Sequence, residues 1–176
     1  MPKKHSTIVN ALLFALDVAN ELTPMLLASP YQRGRKLLYG KNYNAYRNTV
    51  YNLHKRGSIK IIKKAGKKFL QLTKKGKLEV LLAKAKMPVV GKWDGKWRLI
   101  IFDIPEWAKP QRNQLRGLLK KNNFCRLQDS VYVNPHPLNR EAVKYLEETG
   151  LSEYIRIIKV EEMDNDRDLK KKFGLI

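Results

Sequence analysis

Acidic side chains are nearly missing from the first half of this 176-residue chain. Residues 1–92 hold 20 Lys and Arg but only Asp17, Glu21 and Glu79 as acids. Residues 93–176, with 16 basic and 13 acidic residues, are close to balance. Solubility alone would not require one half to be left bare of acids. The asymmetry points instead to a polyanionic partner for that half, nucleic acid before membrane. A single Cys125 excludes an intrachain disulfide and fits a reducing cytoplasm. Histidine occurs only at positions 5, 54 and 136, and no Cys/His spacing suits zinc. No apolar run is long enough to cross a bilayer. The stretch Ile8–Leu16 is broken by Asn10 and continued in helical register by Asp17 and Glu21, which argues against a signal peptide. A Gly-x-x-x-x-Gly-Lys-Ser/Thr loop is also absent, so nucleotide-driven work is not expected. His136 lies between Pro135 and Pro137 and reads as a rigid turn residue rather than a catalytic base.

What is present is organised around Trp93–Glu106. Asp94-Gly95 is a tight polar turn between two tryptophans, and Leu99-Ile100-Ile101-Phe102 follows as an unbroken apolar run. Such a run predicts a strand buried on both faces. Pro105, which cannot donate to a sheet ladder, ends it. Asp103 then stands at the C-terminal edge of a central strand. The change in charge at the same place predicts a boundary, with domains at 1–91 and 92–162 and a tail at 163–176.

In the basic half, Ser6 or Thr7 caps a helix to about Asn20 with Ile8, Leu12, Ala15, Leu16 and Ala19 inward. Thr23-Pro24 and Ser29-Pro30 read as helix starts, and 30–38 as a short basic helix. The next helix runs from the cap Asn42 to Gly57, with Tyr46, Val50 and Leu53 as its buried stripe. Its opposite face carries Asn44, Arg47, Asn48, Tyr51, Asn52 and Lys55, side chains that bond base edges and phosphates. An ordinary solvated face would include some Glu; this one has no acid. Residues 58–64 and 68–73 form a hairpin about a glycine turn, tipped by Lys63, Lys64, Lys67 and Lys68. A last helix starts at Thr73 and ends at Met87-Pro88. This order is that of a winged helix-turn-helix, its wing gripping phosphates beside the groove entered by the helix.

The second half reads as strand 97–103, a helix opened by Lys109-Pro110, strands 124–128 and 130–134, a helix capped by Asn139, and strand 155–160. The order β-α-β-β-α-β predicts a ferredoxin-like domain. The fold class is therefore α+β. Such a sheet covers one face with helices, and a homodimer packed sheet against sheet would cover the other. Residues 161–176 read as a disordered, mixed-charge tail. Docking of Phe173, Leu175 and Ile176 on a partner subunit is the alternative.

Trp93-Asp94-Gly95-Lys96-Trp97-Arg98-Leu99 running into Phe102-Asp103-Ile104-Pro105-Glu106 resembles the junction of PaaX-type transcriptional repressors. So do Leu72-Thr73-Lys74-Lys75-Gly76-Lys77, Arg47 and the hairpin Leu127–Val133. The resemblance covers roughly residues 7–160. It implies a cytoplasmic, sequence-specific regulator that binds double-stranded DNA as a homodimer and needs no cofactor. The chain stops where those repressors continue into an effector-associated domain, so response to an acyl-CoA is not carried over. The central domain is in turn similar to the small CRISPR-associated nuclease of the spacer-acquisition complex. That similarity implies the alternative function, a Mg²⁺-dependent endonuclease or nuclease-like subunit using Asp103 as metal ligand. Two Asp103 side chains would then face each other across a dimer axis, with Glu106 and Asp129 the nearest other candidates.

Overall fold

The computed structural model describes residues 4–19, 23–24 and 43–176. The chain is mixed α and β with antiparallel sheets. It divides into two compact units, Met1–Val80 and Leu81–Ile176, whose division falls inside a helix. The expected helix at 30–38, the cap Asn42 and the start Ser29-Pro30 lie outside the described residues.

In the first unit, α1 (Lys4–Ala19) begins ahead of the expected caps Ser6 and Thr7. Leu13 and Leu16 are its buried residues, with Val9, Leu12 and Phe14 half-buried beside them. Ala15 and Ala19 face solvent, so the inward stripe is rotated from the expected one. Larger side chains remove more apolar surface from water than alanine does, and they decide the facing. Thr23-Pro24 is not a helix start but a short strand, β1, pairing Thr23 with Leu70 and Pro24 with Phe69. A proline without an N–H is tolerated on such an edge strand.

The helix α2 (Tyr43–Lys55) buries Val50 and Leu53 as its pattern requires and packs Tyr46 against the same core. Two bonds at its end, Gly57 N–H to His54 O (2.9 Å) and Ser58 N–H to Leu53 O (2.9 Å), make a Schellman cap. Strands β2 (Ile59–Lys64) and β3 (Lys67–Leu72) follow in antiparallel register, so the sheet order is β1-β3-β2. At the turn Ala65 (φ 48°) and Gly66 (φ 73°) are both left-handed, the type I′ geometry that matches strand twist. Helix α3 (Lys74–Ala85) is capped by Thr73, whose Oγ1 accepts from Gly76 N–H at 3.1 Å. Gly76 has no substitute there, because a Cβ would stand 2.0 Å from the Ser58 carbonyl oxygen.

In the second unit the elements are β4 (Trp97–Phe102), α4 (Lys109–Lys121), β5 (Cys125–Gln128), β6 (Val131–Asn134), α5 (Arg140–Glu148) and β7 (Ile155–Val160). All neighbours are antiparallel and the order is β5-β6-β4-β7. The first strand is therefore central, and the β-α-β-β-α-β order is the one expected. Ile100 and Phe102 point to one face with Tyr132 and are buried. The other face departs from expectation, since β4 is not buried on both sides along its length. Trp97 is buried there, Leu99 half-buried and Ile101 37% exposed.

What covers that face is the chain's own end. Residues 161–166 lead into α6 (Arg167–Lys172), and Leu169 packs with Trp97 and Val133. Met163, Phe173 and Leu175 close over the cluster, Phe173 with its ring 5.8 Å from that of Trp97. The Trp97 indole N–H donates to Asp166 Oδ2 at 2.9 Å. That bond, before the Lys170 ammonium, holds the Asp166 carboxyl below its usual range. Thus 163–176 is folded and does not hang free. Its scattered apolar residues have a partner in cis that sequence proximity does not reveal.

Three asparagines secure the end of α3. Buried Asn122 donates through Nδ2 to Ala85 O (2.7 Å) and Leu118 O (3.0 Å). Asn134 donates to Asn122 O (2.7 Å), and Asn139 reaches the carbonyls of Lys84, Ala85 and Met87. The last carbonyls of a helix have no partner within it, and these amides supply one.

Candidate nucleic-acid interface

Helix α2 has its apolar stripe committed to the core, which turns the remaining side chains outward. Asn44, Arg47, Asn48, Tyr51, Asn52 and Lys55 are all exposed, Tyr51 to 63%. The polar set named from the sequence is thus brought together on one solvent-facing helix surface with no acid on it. Thr49 is taken inward instead, its hydroxyl donating to Ala45 O at 2.8 Å.

On the hairpin, Lys63 stands opposite Lys68 and Lys64 opposite Lys67, all four exposed. Facing like charges destabilise a strand pair. None of the four side chains has a hydrogen bond or ion pair among the described residues. Arg56 and Lys75, near this region, have partners within the first unit. Arg56 bonds Ser58 Oγ (2.9 Å) and Glu79 Oε2 (2.7 Å), and Lys75 Nζ bonds Arg56 O (2.6 Å). They brace the first unit.

Sequence reasoning missed Lys60, Lys74 and Lys77. With Gln71, Leu72 and Thr73 they line an open cleft of about 430 Å³. Alternation along β2 would have placed Lys60 on the face of Lys64, but the cleft joins residues from both strands and the start of α3.

Asp103 follows the last residue of β4 and is exposed, its N–H donating to Tyr154 O at 3.0 Å. Both acids named with it have cation partners. Arg112 and, less closely, Lys109 pair with Glu106, and the Arg112 guanidinium is the main cause of a lowered Glu106 pKa. Asp129 pairs with Arg126. Among the described residues no three His, Cys, Asp or Glu side chains are grouped to hold a metal ion. Asp94, at the junction, accepts from Lys96 N–H and from the Arg98 guanidinium. The latter contact brings its pKa down to about 2.

Residues 90–171 match the family model described as the PaaX protein central Cas2-like domain. That span reaches into α6 and takes in Leu169 but not Phe173 or Leu175. No curated protein matches the chain. Among solved structures, the uncharacterized protein Rv0674 from Mycobacterium tuberculosis is similar at 13% identity and a TM-score of 0.45. The match covers 93% of this chain and 64% of that one, so the chain spans less than two thirds of its length. No helix among the described residues is long and apolar enough to cross a membrane.

Proposed function

We propose, from the match of residues 90–171 to the PaaX protein central Cas2-like domain, that the chain is a PaaX-type, sequence-specific, double-stranded-DNA-binding transcriptional regulator. The first unit acts as a winged helix-turn-helix, with α2 as the recognition helix and the β2–β3 hairpin as the wing. The observation that carries this reading is the exposed, acid-free surface of α2 beside wing lysines that have no ion-pair partner among the described residues. Asn and Arg side chains suit adenine and guanine edges in the major groove, while lysines suit phosphates.

The second, ferredoxin-like unit joins two copies. Its open sheet face is covered at one end by the α6 segment, but Ile101, Leu127 and Ile158 remain 37–43% exposed. A two-fold partner on that remainder would hide them and space two recognition helices for half-sites one or more turns of DNA apart.

Arg47→Ala tests the reading. Selection of binding sites from random duplexes by the wild type should yield a defined sequence. The variant should lose preference at one position by about 1–3 kcal/mol. Unchanged preference would remove Arg47 from base recognition, and a wild type that selects nothing would remove the regulator itself.

A further inference from the structure

Resting on the reading of the first unit as a DNA-binding unit, we propose that the Lys60–Lys74–Lys77 cleft is a second phosphate site, which takes the sugar–phosphate backbone of the duplex beyond the wing tip. The cleft holds about 430 Å³ and is open to solvent. Three ammonium groups line it, no acid does, and none of the three has a protein partner among the described residues. Gln71 and Thr73 add uncharged polar groups at its wall, and Leu72 the apolar one.

The site continues the wing instead of standing apart from it. The register pairs Lys60 with Gln71 and Lys64 with Lys67, and these four share one face of the hairpin. The opposite face carries Ile59, Leu70 and Leu72, all buried. Lys60, Lys64 and Lys67 therefore belong to a single outward face, with Ile62 and Phe69 half-buried between them. Four residues of strand separate Lys60 from Lys64, about 13 Å at the usual rise. Projected on the duplex axis, that distance is about four charge intervals of one strand, at about 3.4 Å each. Lys74 and Lys77, one turn apart on α3, extend the same positive track. A backbone gripped at the tip by Lys64 and Lys67 meets, on leaving it, a concave surface of matching charge.

The test uses the full chain and K60Q/K74Q/K77Q, with unchanged circular dichroism melting as the folding control. On the duplex selected by the wild type, the variant should keep the same base preference. Its slope of log affinity against log salt should be shallower by about 2–3, so the wild type's advantage shrinks about 40-fold between 50 and 200 mM salt. Hydroxyl-radical protection should be lost only at the outermost backbone positions. A variant with the wild-type slope and footprint overturns the proposal. So does saturable binding of inorganic phosphate at constant ionic strength by wild type but not variant, if the footprint is unmoved, because the cleft would then serve a free anion. Failure of the regulator reading has a separate signature. A wild type that selects no sequence, while the triple variant still flattens the salt slope, removes the recognition role of α2 and leaves the cleft standing.

Discussion

Leu169→Ala measures how much the folded C-terminal segment contributes. Leu169 is the buried residue of α6, 6% exposed, and it meets Trp97 and Val133 on the sheet face that no helix of the β-α-β-β-α-β core covers. Large-to-small changes of this kind cost about 2–5 kcal/mol. The lower end applies, because a six-residue helix at the end of the chain can shift to close part of the void. About 2–3 kcal/mol corresponds to a melting temperature lower by about 8–20 °C for a unit of roughly 100 residues. The assay is clean because Trp93, Trp97 and Trp107 all lie in Leu81–Ile176, so tryptophan emission reports that unit alone. Trp97, 1% exposed, should also shift its emission to the red well below the main transition if the segment detaches first. A variant melting within about 2 °C of the wild type, with unshifted emission, would refute the claim that this segment covers the face.

Asn122→Ala should cost about 1–3 kcal/mol, because it strips a donor from the buried carbonyls of Ala85 and Leu118. A lowered urea midpoint of tryptophan emission would register it. The Asp94–Arg98 pair fixes a pH window. Its folded pKa of about 2 lies below the ordinary 3.8, so the stabilisation is complete above about pH 4 and lost as pH falls through 2. In Arg98→Gln the Asp94 carboxyl, followed by carbon-13 NMR, should titrate nearer 3.8; an unmoved midpoint would assign the shift to another group.

Local signals were enough for much of this fold. The i, i+4, i+7 spacing of Tyr46, Val50 and Leu53 fixed both the helix and its outward face, and Thr73 three residues before Gly76 marked the start of α3. Lysines around Ala65-Gly66 located a hairpin tip. What escaped depended on distant partners. Thr23-Pro24 is a strand only because β3 is there to pair with it, and the same dipeptide alone reads as a helix start. From Leu99 to Phe102, β4 is apolar on both faces, so the pattern carried no sign that Ile101 would stay open. Trp97 and Leu99 are apolar for a different reason, since a segment about seventy residues later lies over them. Leu169 and Phe173 stand at i, i+4, but the helix itself is only six residues long, too short a window for that spacing to announce it. The cleft escaped for a similar reason: Lys60, Lys74 and Lys77 meet only once β2, β3 and α3 are in place.

Charge is handled by opposite rules in the two units, and the difference bears on function. In Leu81–Ile176, Asp94, Glu106, Asp129, Glu161 and Asp166 each meet a cation, respectively Arg98, Arg112, Arg126, Lys96 and Lys170. Between residues 43 and 80 the one acid is Glu79, and it is occupied by Arg56 and Ser58. Among residues 43–80, then, no acid is left over to neutralise the wing cations. Two of their pairings set lysine against lysine, each costing roughly 0.2–1 kcal/mol against a neutral pair. Ala65 in a left-handed conformation adds about 1–2 kcal/mol at the same tip. A hairpin selected for its own stability would place glutamate in one member of each pair and Asn or Gly at position 65. Retaining lysine in all four places makes sense where a polyanion supplies the missing counter-charge. The proposed duplex would offset both terms at the tip, and its backbone would give the cations of the cleft the counter-charge they lack among the described residues.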